Sequence, residues 1–170
     1  MRRKAKPVTE IDDNIKSLAN EMITLMQANH GVGLAASQVG ELLRVIVIDV
    51  SGGERKKEAF AMINPRVTRQ SGKYTDEEGC LCFPGLKLVI TRPMEVRVEG
   101  TDISGNPVAV EGRGLLAKIL IHETDHLDGR LFIDRLPFLK KLSMFTKLHR
   151  LKKQYHSMPE GKERDSGTKG

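Results

Sequence analysis

Two stretches of the chain place apolar residues at helical spacing. The first predicts an amphipathic helix over residues 11–29, capped by Asp12 or Asp13. Its apolar positions are three or four residues apart: Ile11, Ile15, Leu18, Met22, Leu25 and Met26. The second stretch, residues 115–121, holds good helix formers without Gly or Pro and continues into His122-Glu123-Thr124-Asp125-His126. Gly129 is placed to end this second helix.

β-branched and aromatic runs predict short strands between these helices. Residues 42–50 read as a buried strand, followed by an exposed turn at 51–57 and a strand at 60–67 with a bend at Asn64-Pro65. Residues 31–40 predict a glycine-rich loop, and 68–77 a solvated strand or loop. Further strands are predicted at 86–90, 94–99 and 108–110. The fold class is therefore α+β, with short mixed or antiparallel sheets around a central helix that carries H-E-x-x-H.

A third amphipathic pattern occupies the C-terminal region. Leucine or phenylalanine recurs every third residue from Leu139 to Leu151, which predicts a C-terminal helix at about 138–156. Residues 159–170 are polar and predict a disordered tail. We expect residues 1–158 to form a single catalytic domain.

Charge narrows the possible partners. The 170-residue chain has a net charge of +6, yet residues 135–158 alone contain seven basic residues and no acidic one. This uneven distribution and the lack of Trp argue against DNA binding by the whole protein. No apolar run is long enough to span a bilayer. The chain has two cysteines, separated by one residue, which is poor spacing for a structural disulfide. We therefore expect a cytoplasmic protein in a reducing compartment.

His122 and His126 are the first candidate metal ligands. Residues i and i+4 lie on one face of a helix, so the two imidazoles can hold one ion while Glu123 reaches a reactant beside it. The alternative is two histidines on an ordinary buried helix. A metal site also needs a third ligand, and the position used by metzincin peptidases is Phe132, which cannot ligate. The Cys80/Cys82 pair remains as the candidate for the third ligand. The alternative for Cys80 alone is a small, buried apolar residue without a metal.

Three motifs together resemble those of peptide deformylases. They are G-x-G-L-A-A-x-Q at 31–38, E-G-C-L at 78–81 and H-E-x-D-H-L-x-G at 122–129, in the family's order and at suitable separation. The resemblance extends from about residue 5 to the basic segment near 155. It implies one divalent metal ion held by Cys80, His122 and His126, commonly Fe(II), with zinc, nickel or cobalt as replacements.

The resemblance also implies the remaining site residues. Gln38 and the backbone N–H of Leu81 would stabilise the oxyanion, and Glu123 would be the general acid/base. Val32, Gly33 and Leu81 would contact the substrate peptide. The implied reaction is removal of the N-formyl group from the initiator formyl-methionine of newly made polypeptides, a hydrolase activity in protein biosynthesis. Without the other motifs, Gln38 could also be interpreted as a solvated loop residue.

Several positions depart from the family pattern. Cys82 stands where the family usually has serine, and Ile121 stands where it usually has glutamine. Cys80 is preferred as the ligand because it occupies the cysteine position of the motif, while Cys82 adds a second thiol that can compete or form an oxidised pair. The family's opening tyrosine-proline-aspartate-proline turn is absent, which leaves open a missing first strand or a start assigned too late.

Two further features keep alternatives open. The basic C-terminal helix is either a solvated face or, as the resemblance implies, a segment that docks on the ribosome. Asp125 and Arg92 either form a pair that steadies the metal site, or Asp125 is a surface residue.

Overall fold

The computed structural model describes residues 2–49, 59–137 and 140–141. The chain divides into two units, Met1–Arg135 and Leu136–Gly170. In the second unit, the Lys141 N–H donates to the Pro137 carbonyl at 3.0 Å. The predicted turn at 51–57 and tail at 159–170 lie outside the described residues, as does the basic helix apart from Lys140 and Lys141. The single domain over residues 1–158 stays a prediction.

The described elements are two α-helices, seven strands and two 3₁₀ turns. In chain order they are α1 (Asp13–Ala28), β1 (Gly33–Ala35), a 3₁₀ turn (Ala36–Val39), β2 (Val45–Asp49), β3 (Ala59–Ser71), β4 (Tyr74–Gly79), β5 (Lys87–Arg92), β6 (Glu95–Thr101), β7 (Pro107–Arg113), α2 (Leu115–Leu127) and a 3₁₀ turn (Phe132–Arg135). Five strands form one sheet in the order β1-β2-β3-β6-β7, and β4 pairs with β5. These strand pairs are all antiparallel, which confirms the α+β prediction.

Strand β2 is buried on both faces of the five-stranded sheet. Val45 and Val47 belong to the apolar cluster that contains α1, whereas Ile46 and Ile48 belong to the cluster that contains α2. Successive residues of a strand point to opposite faces, so an unbroken apolar run requires cover on both sides. The sheet is therefore enclosed between two helices, and α2 packs directly on one face of β2.

Both helices begin and end at residues suited to those positions. The Asp12 side chain caps α1 by accepting the Ile15 N–H at 2.9 Å, which confirms one of the two predicted caps. Gly114 precedes α2 with φ 57°, and Gly129 follows it with φ 71°. Positive φ values of this kind favour glycine, so the bounds of α2 follow from the local sequence. Neither described helix combines the length and apolarity needed to cross a bilayer.

The structure differs from the sequence predictions in two places. The glycine-rich segment 31–40 contains strand β1 and a 3₁₀ turn because Leu34 and Ala35 are buried and pair with β2. Strand β3 runs to Ser71, beyond the predicted residue 67, because its pairing with β6 continues to Glu95. The bend at Asn64 is confirmed, with φ 52° and a shift in strand register.

Candidate metal centre and active site

Helix α2 presents His122 and His126 side by side. The two residues are one turn apart, and their Nε2 atoms lie 3.0 Å from each other. Burial, followed by the nearby His122 charge, lowers the pKa of His126 to about 3. The His126 imidazole is therefore neutral at physiological pH, which is the form that coordinates a metal.

Cys80 reaches the histidines from the end of strand β4. Its Sγ lies 3.3 Å from His126 Nε2, although the two residues are 46 positions apart in the chain. The possible ligand atoms of Cys80, His122 and His126 all lie within 4.8 Å of one another. The fold thus brings together the three residues that the resemblance implied as metal ligands. A thiolate and two imidazoles suit Fe(II) or Zn(II) and leave a coordination position open.

Glu78 holds His122 in place, a role that the sequence analysis missed. His122 Nδ1 lies 2.5 Å from Glu78 Oε1, so Nε2 is left to face the cluster. Burial raises the pKa of Glu78, but hydrogen bonds from Arg92 and His122 outweigh burial and lower the pKa to about 2. The available signal was a carboxylate two residues before the cysteine, because alternate residues of a strand point the same way.

Arg92 joins Glu78 to Asp125 in a buried ionic network. The Arg92 guanidinium donates to Glu78 at 2.6 and 2.9 Å and to Asp125 at 2.5 Å. Asp125 also accepts from Arg135 at 2.5 Å. Arg92 and Asp125 are buried, which confirms the predicted pair over the surface alternative. Partners of this kind fix the orientation of a ligating imidazole.

Glu123 is a buried carboxyl beside the cluster. Burial raises the pKa of Glu123 to about 7. Its Oε2 has no hydrogen-bond partner among the described residues. A carboxyl with this pKa can accept and release a proton near neutral pH. The backbone of Gly33 passes so close that an added Cβ would lie 2.6 Å from Glu123 Oε1, so β1 requires glycine there.

Gln38 turns its amide nitrogen toward the sulfur atoms. Its Oε1 accepts the Ala35 N–H at 2.7 Å, which fixes the orientation of the amide. Its Nε2 then faces Cys82 Sγ at 3.4 Å and Cys80 Sγ at 3.7 Å. This arrangement favours a site residue over a solvated loop residue.

The thiols of Cys80 and Cys82 shift each other's pKa in opposite directions. The hydrogen bond from Cys80 lowers the pKa of Cys82 to about 6. The same interaction, with burial, raises the pKa of Cys80. The first proton therefore leaves the pair readily and the second does not.

A cavity of about 450 Å³ opens beside the cluster. Val32, Gly33 and Leu81, the predicted substrate-contact residues, line it together with Gln38 and Glu123. Leu81 is 49% exposed at the mouth. The volume lies within the range of small-ligand pockets, which is roughly 300–1,000 Å³. A helix that presents two histidines and a carboxylate to a nearby cysteine, beside such a cavity, is typical of hydrolases that use a single metal ion.

Comparisons with known proteins identify the family. The family model described as polypeptide deformylase matches residues 1–142. A peptide deformylase of Endomicrobium trichonymphae is 46% identical over 153 residues, covering 90% of each chain. The crystal structure of a peptide deformylase from Legionella pneumophila superimposes with a TM-score of 0.81 at 40% identity, covering 93% of this chain and 92% of that one. The enzyme from Thermus thermophilus gives a TM-score of 0.80 at 37% identity, covering 90% of this chain and 92% of that one.

The chain belongs to the peptide deformylase family. Enzymes of this family are metal-dependent hydrolases that remove the N-formyl group from newly made polypeptides, and this chain is such a hydrolase. The predicted resemblance to peptide deformylases, the hydrolase activity and the formylated nascent peptide as substrate are thereby confirmed.

Proposed function

We propose that Cys80, His122 and His126 hold one divalent metal ion and that Glu123, Gln38 and Leu81 carry out deformylation around it. The observation that supports this proposal best is the convergence of the three ligand atoms within 4.8 Å. A thiol and two imidazole nitrogens pointing at one another repel through their lone pairs unless a proton or a cation lies between them. The donor set therefore fits a metal ion.

When bound, the metal supplies Lewis acidity that polarises the formyl carbonyl and makes water more acidic. Glu123 takes the proton from the attacking water and returns it to the leaving amine. Its pKa of about 7, which results from burial, suits both transfers. Its buried Oε2, which has no partner among the described residues, is available for this proton.

Gln38 and the backbone N–H of Leu81 stabilise the negative charge that develops on the formyl oxygen. The Gln38 amide is already oriented by its bond from Ala35, so little reorganisation is needed when charge develops. The backbones of Val32 and Gly33, which line the cavity, position the peptide beside Glu123.

The test of this function compares two substrates on one anaerobic preparation whose metal content is measured. We expect turnover of a formyl-Met peptide in proportion to bound metal and no detectable turnover of the matching acetyl-Met peptide. Equal turnover of both peptides would contradict the assignment of a formyl-specific site.

The ligand assignment is tested separately by metal content. We expect Cys80→Ser to weaken metal binding far more than Cys82→Ser, because Cys80 Sγ contacts His126 and belongs to the cluster. The reverse order of affinities would transfer the ligand role to Cys82. We propose Fe(II) as the native ion, with Zn(II), Ni(II) or Co(II) as replacements; metal analysis of the anaerobic protein checks this.

We also propose a cytoplasmic enzyme that docks on the ribosome through its basic C-terminal segment. The support is compositional: seven basic and no acidic residues over 135–158. Such a segment suits contact with RNA phosphates. Charge reversal at Lys147, Arg150 and Lys152 is expected to lower ribosome co-sedimentation while turnover of a formyl-Met peptide is kept. Unchanged co-sedimentation would contradict docking.

A further inference from the structure

We propose that Cys80 and Cys82 form a reversible oxidative modification site in which Cys82 is the resolving thiol. When a peroxide oxidises Cys80, Cys82 captures the product as an intramolecular disulfide. This inference rests on the proposed ligand role of Cys80, since the disulfide would also remove a metal ligand.

The two sulfur atoms are already gathered at one point. Gln38 Nε2 faces Cys82 Sγ at 3.4 Å and Cys80 Sγ at 3.7 Å, so both sulfur atoms lie against one amide nitrogen. A disulfide forms when a thiol attacks the oxidised sulfur of its partner, so contact between the two atoms is the main geometric requirement. Because both sulfur atoms share one amide neighbour, side-chain rotation alone can bring them together.

The backbone between the cysteines also permits the bond. A disulfide needs Cα atoms about 4.4–6.8 Å apart, and residues two positions apart span at most roughly 7 Å when fully extended. Here the chain turns, because the Phe83 N–H donates to the Cys80 carbonyl at 2.8 Å. This turn lies between the end of β4 at Gly79 and the start of β5 at Lys87. Closing the disulfide therefore breaks no bond of the strand ladder.

A small oxidant can reach this turn. Both cysteines are partly exposed, and Cys80 lines the cavity through which substrate would enter. In contrast, the histidines on the other side of the cluster are buried. Oxidation is selective for thiolates that are accessible, so the sulfur side of the cluster is where a peroxide reacts.

The reaction balances with hydrogen peroxide as the oxidant. Ligation to the metal would hold Cys80 as the thiolate and leave Cys82 as the thiol. The Cys80 thiolate attacks one peroxide oxygen, the O–O bond breaks, and the products are Cys80 sulfenic acid and hydroxide. The Cys82 sulfur then attacks the Cys80 sulfur, forming the S–S bond and breaking the S–O bond. The departing hydroxide takes up the Cys82 thiol proton as water. In total one thiolate and one thiol lose two electrons, and one hydrogen peroxide becomes one water and one hydroxide.

Two consequences follow for the site. Disulfide sulfur is a far weaker ligand than thiolate, so metal is released when the bond forms. At the same time, capture by Cys82 stops oxidation before the sulfinic and sulfonic stages, which thiols do not reverse. A thiol reductant with added metal then restores the cluster.

The experiment uses the zinc-loaded full chain, because zinc has no redox chemistry with peroxide. Wild type and Cys82→Ser, which bind zinc in equal stoichiometry before treatment, receive equal hydrogen peroxide and are then desalted. Intact mass and retained zinc are measured, followed by zinc rebinding after thiol reductant. We expect wild type to lose the mass of two hydrogens, release its zinc and regain nearly all of it. Cys82→Ser is expected to gain two or three oxygen atoms and to remain unable to rebind zinc.

Two other sets of results would overturn either the resolving role of Cys82 or the ligand role of Cys80. If wild type gains oxygen atoms without a disulfide, or if Cys82→Ser recovers as fully as wild type, the resolving role is overturned. If the disulfide forms while zinc is retained, the modification site stands and the proposed ligand role of Cys80 fails.

Discussion

The two sides of the group formed by Cys80, His122 and His126 are held by different kinds of interaction. On the histidine side, His122 is held by Glu78, which is held by Arg92, and these residues are buried and joined by charged hydrogen bonds. On the sulfur side, Cys80 lies in a turn outside the strands and is partly exposed, and its Sγ contacts His126 and the neutral amide of Gln38. Charged hydrogen bonds are roughly twice as strong as neutral ones. The comparison indicates that the histidine side fixes geometry and the sulfur side carries reactivity.

The largest expected effect comes from Glu123, which lines the cavity beside His122. Glu123→Gln keeps the size of the side chain but removes proton transfer, so we expect kcat to fall by about 10²–10⁴-fold with the metal retained. Steady-state turnover of a formyl-Met peptide and metal content on the same sample check this. Glu111→Gln, at an exposed carboxylate on β7, is the matched control and should leave both unchanged. Loss of metal in Glu123→Gln would contradict a purely proton-transfer role.

The sulfur side is tested next through Gln38. Gln38→Ala removes one donor to the developing oxyanion, so we expect kcat to fall by about 10²–10³-fold. The substrate KM should change much less, because the donor acts mainly in the transition state. Gln70→Ala, at an exposed position on β3, serves as the control. A change in KM alone would show that Gln38 binds ground-state substrate instead.

The histidine side is tested through Glu78. Glu78→Gln leaves a hydrogen-bonding side chain beside His122 but removes the charge that orients it, so we expect metal affinity to fall by about 10–100-fold. Competition with a chelator measures this affinity. Glu77→Gln changes the neighbouring carboxylate, which is paired with Lys87 on the surface, and is expected to leave the affinity unchanged. Equal loss in both variants would show that the buried network does not support the ligand.

The smallest effect concerns acid stability of the metal-free protein. The folded-state pKa of Glu78, about 2, lies below its ordinary value of 4.5. The stability from this carboxylate is therefore complete above about pH 4.5 and is lost as pH falls toward 2. The free energy of unfolding of wild type should exceed that of Glu78→Gln, and we expect this difference to shrink by about 2 kcal/mol between roughly pH 5 and pH 3. Urea unfolding at these pH values measures it, and a constant difference between the two proteins would contradict the ionic network.

Much of this arrangement is determined by local sequence. The spacing of His122 and His126, the good helix formers before them and Gly129 after them were enough to predict α2 and its paired imidazoles. The apolar run of β2 was enough to predict a buried strand, and the structure buries all five of its residues. These features depend on residues within one or two turns of each other, where helix and strand periods decide which side chains share a face.

The tertiary structure decided the contacts between distant segments. Glu78 and His122 are 44 positions apart, and the position of Glu78 two residues before Cys80 did not by itself show that the two side chains meet. Within the segment 31–40, Gly33–Ala35 forms a strand because β2 offers it backbone partners, and Gln38 is oriented by its bond from Ala35 of that strand. The tertiary surroundings also set the charge states of Glu78, Glu123 and His126, because burial and neighbouring charges shift the pKa of each group. The sequence alone therefore determined helix α2 and its two facing histidines, and only the fold determined which carboxylate holds His122 and which thiol lies against His126.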